Sequence, residues 1–60
     1  TNNNMYLKEI KENDKFKHHN YIWEAKYNEG VLMLFSDTDG HERWAKIDQD
    51  NVKGLIRVNQ

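Results

Sequence analysis

The chain has 60 residues, room for one small core, and no cysteine, so neither a disulfide nor a thiolate metal site can hold it together. Nine Lys and Arg stand against ten Asp and Glu for a formal net charge of -1, which weighs against a strongly cationic nucleic-acid binder and against an acidic DNA mimic. Two Trp, three Tyr and two Phe supply the bulk that a folded domain of this size needs, so disorder is excluded.

Thr1-Asn2-Asn3-Asn4, ahead of the first methionine at Met5, reads as a vector remnant or a disordered tail, leaving 5–60 as a single small β domain. Met5 to Ile10 fits either one or two helical turns capped by Asn4, with Leu7 and Ile10 on one face, or a strand. Lys11 to Lys15 has nothing apolar to bury and reads as a loop. From Phe16 the pattern turns to period two. Tyr21 to Tyr27 alternates as a half-buried strand, Asn28-Glu29-Gly30 fits a three-residue hairpin loop with Gly30 left-handed, and Val31 to Phe35 is apolar on both faces. Asp37-Thr38-Asp39-Gly40 repeats the turn chemistry, with Gly40 supplying the positive φ, and His41 to Ile47 returns. Asp48 to Asn51 suggests a capped turn or one turn of 3₁₀ helix, and Leu55 to Val58 a short edge strand. The expected fold class is all-β: a small antiparallel meander or SH3-like barrel, with at most one short N-terminal helix.

Three-residue loops in both hairpins set Tyr27 opposite Val31 and Asp37 opposite His41, and the faces follow by counting. Tyr21, Trp23, Ala25, Tyr27, Val31, Met33, Phe35, Ala45 and Ile47 then form the core face, with Arg43 at its rim. The opposite face carries Ile22, Leu32, Leu34 and Trp44 among Glu24, Lys26, Glu42 and Lys46. Leaving four such side chains in water forfeits about 25 cal/mol per Å². Either the N-terminal segment (Leu7, Ile10, Phe16) or the last strand covers them or closes a barrel, or they dock a partner. A loop longer by one residue would instead move Trp44 to the Tyr21-Trp23-Phe35 side.

The run Trp23-Glu24-Ala25-Lys26-Tyr27-Asn28-Glu29-Gly30, followed by Phe35, Asp39-Gly40 and Ile47-Asp48, is similar to a pattern in short uncharacterised phage and prophage accessory proteins. Asn28 and Glu29 stand where those proteins commonly carry a pair of acids. The resemblance implies a small protein that acts by binding, and it carries over no catalytic residue. The same segment resembles the second half of a Tudor or other SH3-like barrel, which would put aromatic-cage positions at Tyr21, Trp23 or Trp44. Its first hairpin is tighter than such barrels have.

No catalytic, cofactor-binding or metal-ligating residue is expected, and no cofactor. Ser36 is the single serine, no phosphate-cradling glycine loop occurs, and Asp48 and Asp50 sit where capping employs them. His18 and His19, adjacent on a strand, point to opposite sides and away from a shared ion, while Asp37 to Gly40 lacks the glutamate that closes a calcium loop. So short a chain has little room for a small-molecule pocket. The longest apolar run, Val31 to Phe35, falls far short of the roughly 20 residues of a membrane span. A cytoplasmic location is expected, with no visible signal peptide.

The expected function is therefore a non-enzymatic protein-binding module, a phage-encoded modulator of a host protein, docking a partner or a second copy through Trp44, Leu34, Leu32 and Ile22. The alternative is a nucleic-acid-binding SH3/Tudor-like domain, since small barrels stack bases on aromatics beside basic residues.

Overall fold

The computed structural model describes residues 10–58, so the expected tail at Thr1 to Asn4 and the helix-or-strand choice before Ile10, Leu7 included, lie outside the described residues. Five strands and one short helix follow in order: β1 (Lys15–His18), β2 (Tyr21–Asn28), β3 (Val31–Ser36), β4 (Arg43–Lys46), α1 (Gln49–Val52) and β5 (Ile56–Arg57). They make one antiparallel sheet in the order β4-β3-β2-β1-β5. The chain thus runs as a four-stranded meander and returns through α1 to lay β5 along β1, giving the all-β architecture expected from its alternation.

The turns decide which side chains go inward. Asn28 pairs with Val31, so the β2–β3 loop is the two residues Glu29 and Gly30, both at positive φ (53° and 82°). That is the primed-turn geometry whose twist suits a two-residue hairpin. The expected three-residue loop credited only the glycine with a left-handed backbone, because any other residue is strained there. Ser36 pairs with Arg43, so the second hairpin is also shifted by one residue from the expected pairing of Asp37 with His41. The two shifts cancel for β4 and invert β3. Ala25, Leu34 and Ala45 consequently share one row, and Glu24, Phe35 and Trp44 another on the opposite face. Leu32 and Leu34 leave the face assigned to them, while Val31, Met33 and Phe35 replace them beside Ile22 and Trp44. Because β3 is apolar on both sides, its hydrophobic pattern could not specify the register and turn geometry did.

On the inner face Phe16, Ala25 and Leu34 meet Ile10, Val52 and Leu55 in one buried cluster, with Trp23, Leu32, Ala45 and Ile47 packed against it. Segments flanking the meander therefore complete a core, but on the face away from Trp44. Ile10 precedes β1, Val52 sits in α1 and Leu55 in the link to β5. Phe16 and Val52 are fully enclosed.

Local devices hold these pieces in place. Asn13 N–H donates to the Ala25 carbonyl and Ala25 N–H to the Asp14 carbonyl, so two residues oppose one, as in a β-bulge; Asn13 has φ 75°. Asp48 caps α1, its carboxylate accepting from Asn51 N–H at 2.8 Å, and Asn51 Nδ2 reaches back to the Lys46 carbonyl at 2.7 Å. Gly54 lies so close to the His18 ring that a Cβ there would sit 2.7 Å from Nε2.

Thr38 finishes β2 where β3 ends. Its hydroxyl accepts from Ile22 N–H at 2.9 Å and donates to the Ile22 carbonyl at 3.3 Å, standing in for a neighbouring strand. The buried Ser36 hydroxyl donates to the same Thr38 oxygen at 3.2 Å, which fills that oxygen's bonding capacity.

Candidate functional site

Most of the exposed apolar side chains lie on the outer face of the sheet; Tyr27, expected in the core, pairs with Leu32 on the inner side and is 56% exposed. Trp44 is 39% exposed, Ile22 43%, Ile56 53% and Val31 60%. Phe35 and Trp44 are opposite each other on β3 and β4, and their rings meet at 4.8 Å between centroids with a 56° tilt. Such tilted contacts suit aromatic quadrupoles and fix the two rings as a unit. Lys26 extends its ammonium over the Phe35 ring, 4.5 Å from the centroid.

Cross-strand rows give the charge map. One row runs Lys15, Glu24, Phe35, Trp44 across four strands. The next runs Lys26, Met33, Lys46. A third sets Lys17 between Ile56 and Ile22. The strand residues of this face therefore include four lysines and one glutamate, although the whole chain carries a net -1. None of those lysines is in an ion pair among the described residues, whose pairs are Arg43–Asp39, Lys53–Asp50 and Arg57–Asp14.

Two acids are held by arginines elsewhere. Asp39, in the loop before β4, is lowered to about 2, first by the Arg43 guanidinium that hydrogen-bonds it and further by His41 N–H. Arg43 also lies over the Tyr21 ring, 5.2 Å from its centroid. Asp14 is held below the usual carboxylate range first by Lys11 N–H at 2.9 Å and then by Arg57 at 3.0 Å. Both acids are tied to strand ends and loops, off the outer face.

Of the residues expected to dock a partner, Trp44 and Ile22 share this exposed face, whereas Leu34 is buried in the core and Leu32 is half-buried on the inner side. Lys26 and Lys46 are on this face as expected, while Phe35, which packs on Trp44, and Met33 in the next row come there through the β3 register, which a two-residue first loop would have revealed. Tyr21 and Trp23 meet edge to face at 6.1 Å on the inner side, so they form no cage with Trp44. The Trp23 indole N–H is buried without a hydrogen-bond partner among the described residues. His18 and His19 do not diverge as strand alternation suggests: His19 has φ 56° in the β1–β2 turn, and the rings approach to 4.2 Å.

Among the described residues no group of three or more His, Cys, Asp or Glu is placed to hold a metal ion, and no helix is long and apolar enough to cross a membrane. An open cleft of about 520 Å³ lies where β4 stops short of the first hairpin, between Val31, Leu32 and Ile47. Its floor is largely apolar.

Comparison with protein-family models, with curated proteins and with solved structures finds no match to this chain.

Proposed function

We propose that this chain is a small non-enzymatic binding module whose outer sheet face is the docking surface. The observation that carries this reading is exposed Trp44, paired with half-buried Phe35 and accompanied by exposed Ile22, set among lysines on a sheet whose other face already holds the core. Apolar groups ringed by charge have the anatomy of an interface. The meander that returns through a single helical turn to pair β5 with β1 supports the SH3-like barrel as its architectural class. The Trp23-to-Asp48 pattern supports a phage-encoded accessory protein working in the cytoplasm on a host factor.

The experiment compares what immobilised wild-type chain and a Trp44→Ala variant retain from a lysate of the source cell, with thermal unfolding of both. Trp44 is exposed and lies outside the buried core cluster, so the variant should fold and lose most retained material. Equal retention by the two would remove the outer face as the docking surface.

A further inference from the structure

We infer that the partner of the outer face is single-stranded nucleic acid, its bases stacking on the Phe35–Trp44 pair and its phosphates neutralised by Lys15, Lys17, Lys26 and Lys46. This rests on the docking role proposed above for the same face and names its occupant. Net charge hides the match, because folding sorts the charges. The acids Asp14 and Asp39 are bound to arginines at strand ends and Asp48 caps a helix, while the lysines fall together on one side.

The geometry suits a single strand. Strands lie about 4.8 Å apart, so Lys26 and Lys46, on β2 and β4, sit about 10 Å apart across Met33, one row from the aromatic pair. Lys15 and Lys17 lie on the far side of Glu24 and Ile22. A strand crossing the sheet from β4 to β1 would pass over Trp44 and Phe35 with Lys46 and Lys26 beside it, and then reach Lys15 and Lys17. A duplex keeps its base faces internally stacked and offers nothing to Trp44, whereas every unpaired base presents a π-face. The Lys26 ammonium over Phe35 already shows that the ring attracts a cation from above, leaving the more exposed Trp44 as the principal platform. Glu24 is the lone carboxylate among the strand residues of this face and stands between the two lysine groups.

The test titrates the intact chain with oligothymidylate, oligouridylate and a duplex of matched length, following tryptophan fluorescence at several salt concentrations. Single strands should bind with quenching, and the logarithm of affinity should fall with the logarithm of salt at a slope of about -2 to -3 for three to four phosphates. Trp44→Ala should weaken binding about 5- to 100-fold with little change of slope. Lys26→Gln with Lys46→Gln, on exposed positions that leave the core untouched, should reduce the slope by about 1.4. Glu24→Gln should tighten binding a few-fold, a gain that loss of structure cannot produce.

Binding that is absent at low salt, equal for duplex and single strand, or insensitive to the lysine substitutions overturns the inference. Nuclease treatment of the lysate separates it from the docking role itself. Trp44-dependent retention that survives nuclease means a protein partner, and concentration-dependent sedimentation that Trp44→Ala abolishes means a second copy of the chain. Either result overturns nucleic acid and keeps the docking face. Retention indifferent to Trp44 removes both.

Discussion

On the inner face of the sheet Phe16, Ala25 and Leu34 are closed over by Ile10, Val52 and Leu55, whereas on the outer face Ile22, Val31 and Trp44 stay open. Both faces are supplied by the same strands, and β3 offers apolar residues to each. The difference lies in what flanks them. Small residues (Ala25, Ala45, Ser36) on the inner side let a helical turn and the flanking segments approach, while lysines on alternate outer positions keep that side wet. Among the described residues the covering side chains, Ile10, Val52 and Leu55, lie over one face. The other face is where a partner can gain apolar burial without competing with the fold.

The largest effect should come from exchanging neighbours on β3. Leu34→Ala empties a core position and should cost about 2–5 kcal/mol, comparable with the whole stability of about 3–9 kcal/mol for a domain this size. The variant should be largely unfolded by circular dichroism at room temperature. Val31→Thr, on the outer face, should stay within about 0.5 kcal/mol of wild type in urea unfolding. The reverse pattern would mean that β3 is registered the other way.

This strand is also where reading the sequence fails. The alternation of Tyr21 to Tyr27, the turn at Asp39-Gly40, the Asp48 cap and the short last strand were legible because each has its own local chemistry. Trp44 and Ile22 were legible as face-mates because two loop errors of one residue cancel between β2 and β4. Leu32 and Leu34 were not, since a strand apolar on both sides gives no local reason to prefer either face. The deciding fact, a left-handed Glu29, is a conformation that steric reasoning disfavours for that residue. Lys26 and Lys46 were legible on the Trp44 face, but Lys15 and Lys17 were not: along the chain they follow Glu12 and Asp14, and only the pairing of β1 with β2 sets them on that side.

A smaller effect should sharpen how the outer face is framed. Thr38→Val keeps the shape of the side chain and removes the hydroxyl that serves both backbone groups of Ile22. Partial access to water limits the loss to about 1 kcal/mol. Amide exchange at Ile22 should accelerate while exchange at Ala25, whose N–H pairs with the Asp14 carbonyl, stays slow. Equal acceleration at both would mean that the loop and the core open together and that the faces are not separable.

Smaller again is the strain at the first hairpin. Glu29→Asn places at φ 53° a residue that tolerates the left-handed region, and should raise stability by about 0.5–1 kcal/mol. A urea midpoint that rises with an unchanged slope checks it. Since the two-residue loop is what sends Leu34 inward, this variant also tightens the register on which the contrast between faces depends.

The least effect is expected from acid, and it should separate the two carboxylates that sit off the outer face. Asp14 and Asp39 both titrate below their ordinary value of 3.8 in the folded chain, Asp39 at about 2. The unfolded chain then binds protons first as pH falls, so both contributions are present above the ordinary carboxylate value and are lost as pH falls below it, that of Asp39 through about pH 2. Asp39 is exposed and owes its shift first to the Arg43 guanidinium, an interaction that salt screens. Asp14 owes its shift first to Lys11 N–H and ties β1 to β5 through Arg57. In urea unfolding between pH 6 and about pH 2, Asp39→Asn should flatten the pH dependence at low salt and matter little at high salt. Asp14→Asn should flatten it at both. Equal salt sensitivity would mean that Arg57, not the backbone of the 11–14 turn, holds Asp14, and that the closure of the inner face depends on an ion pair at its edge.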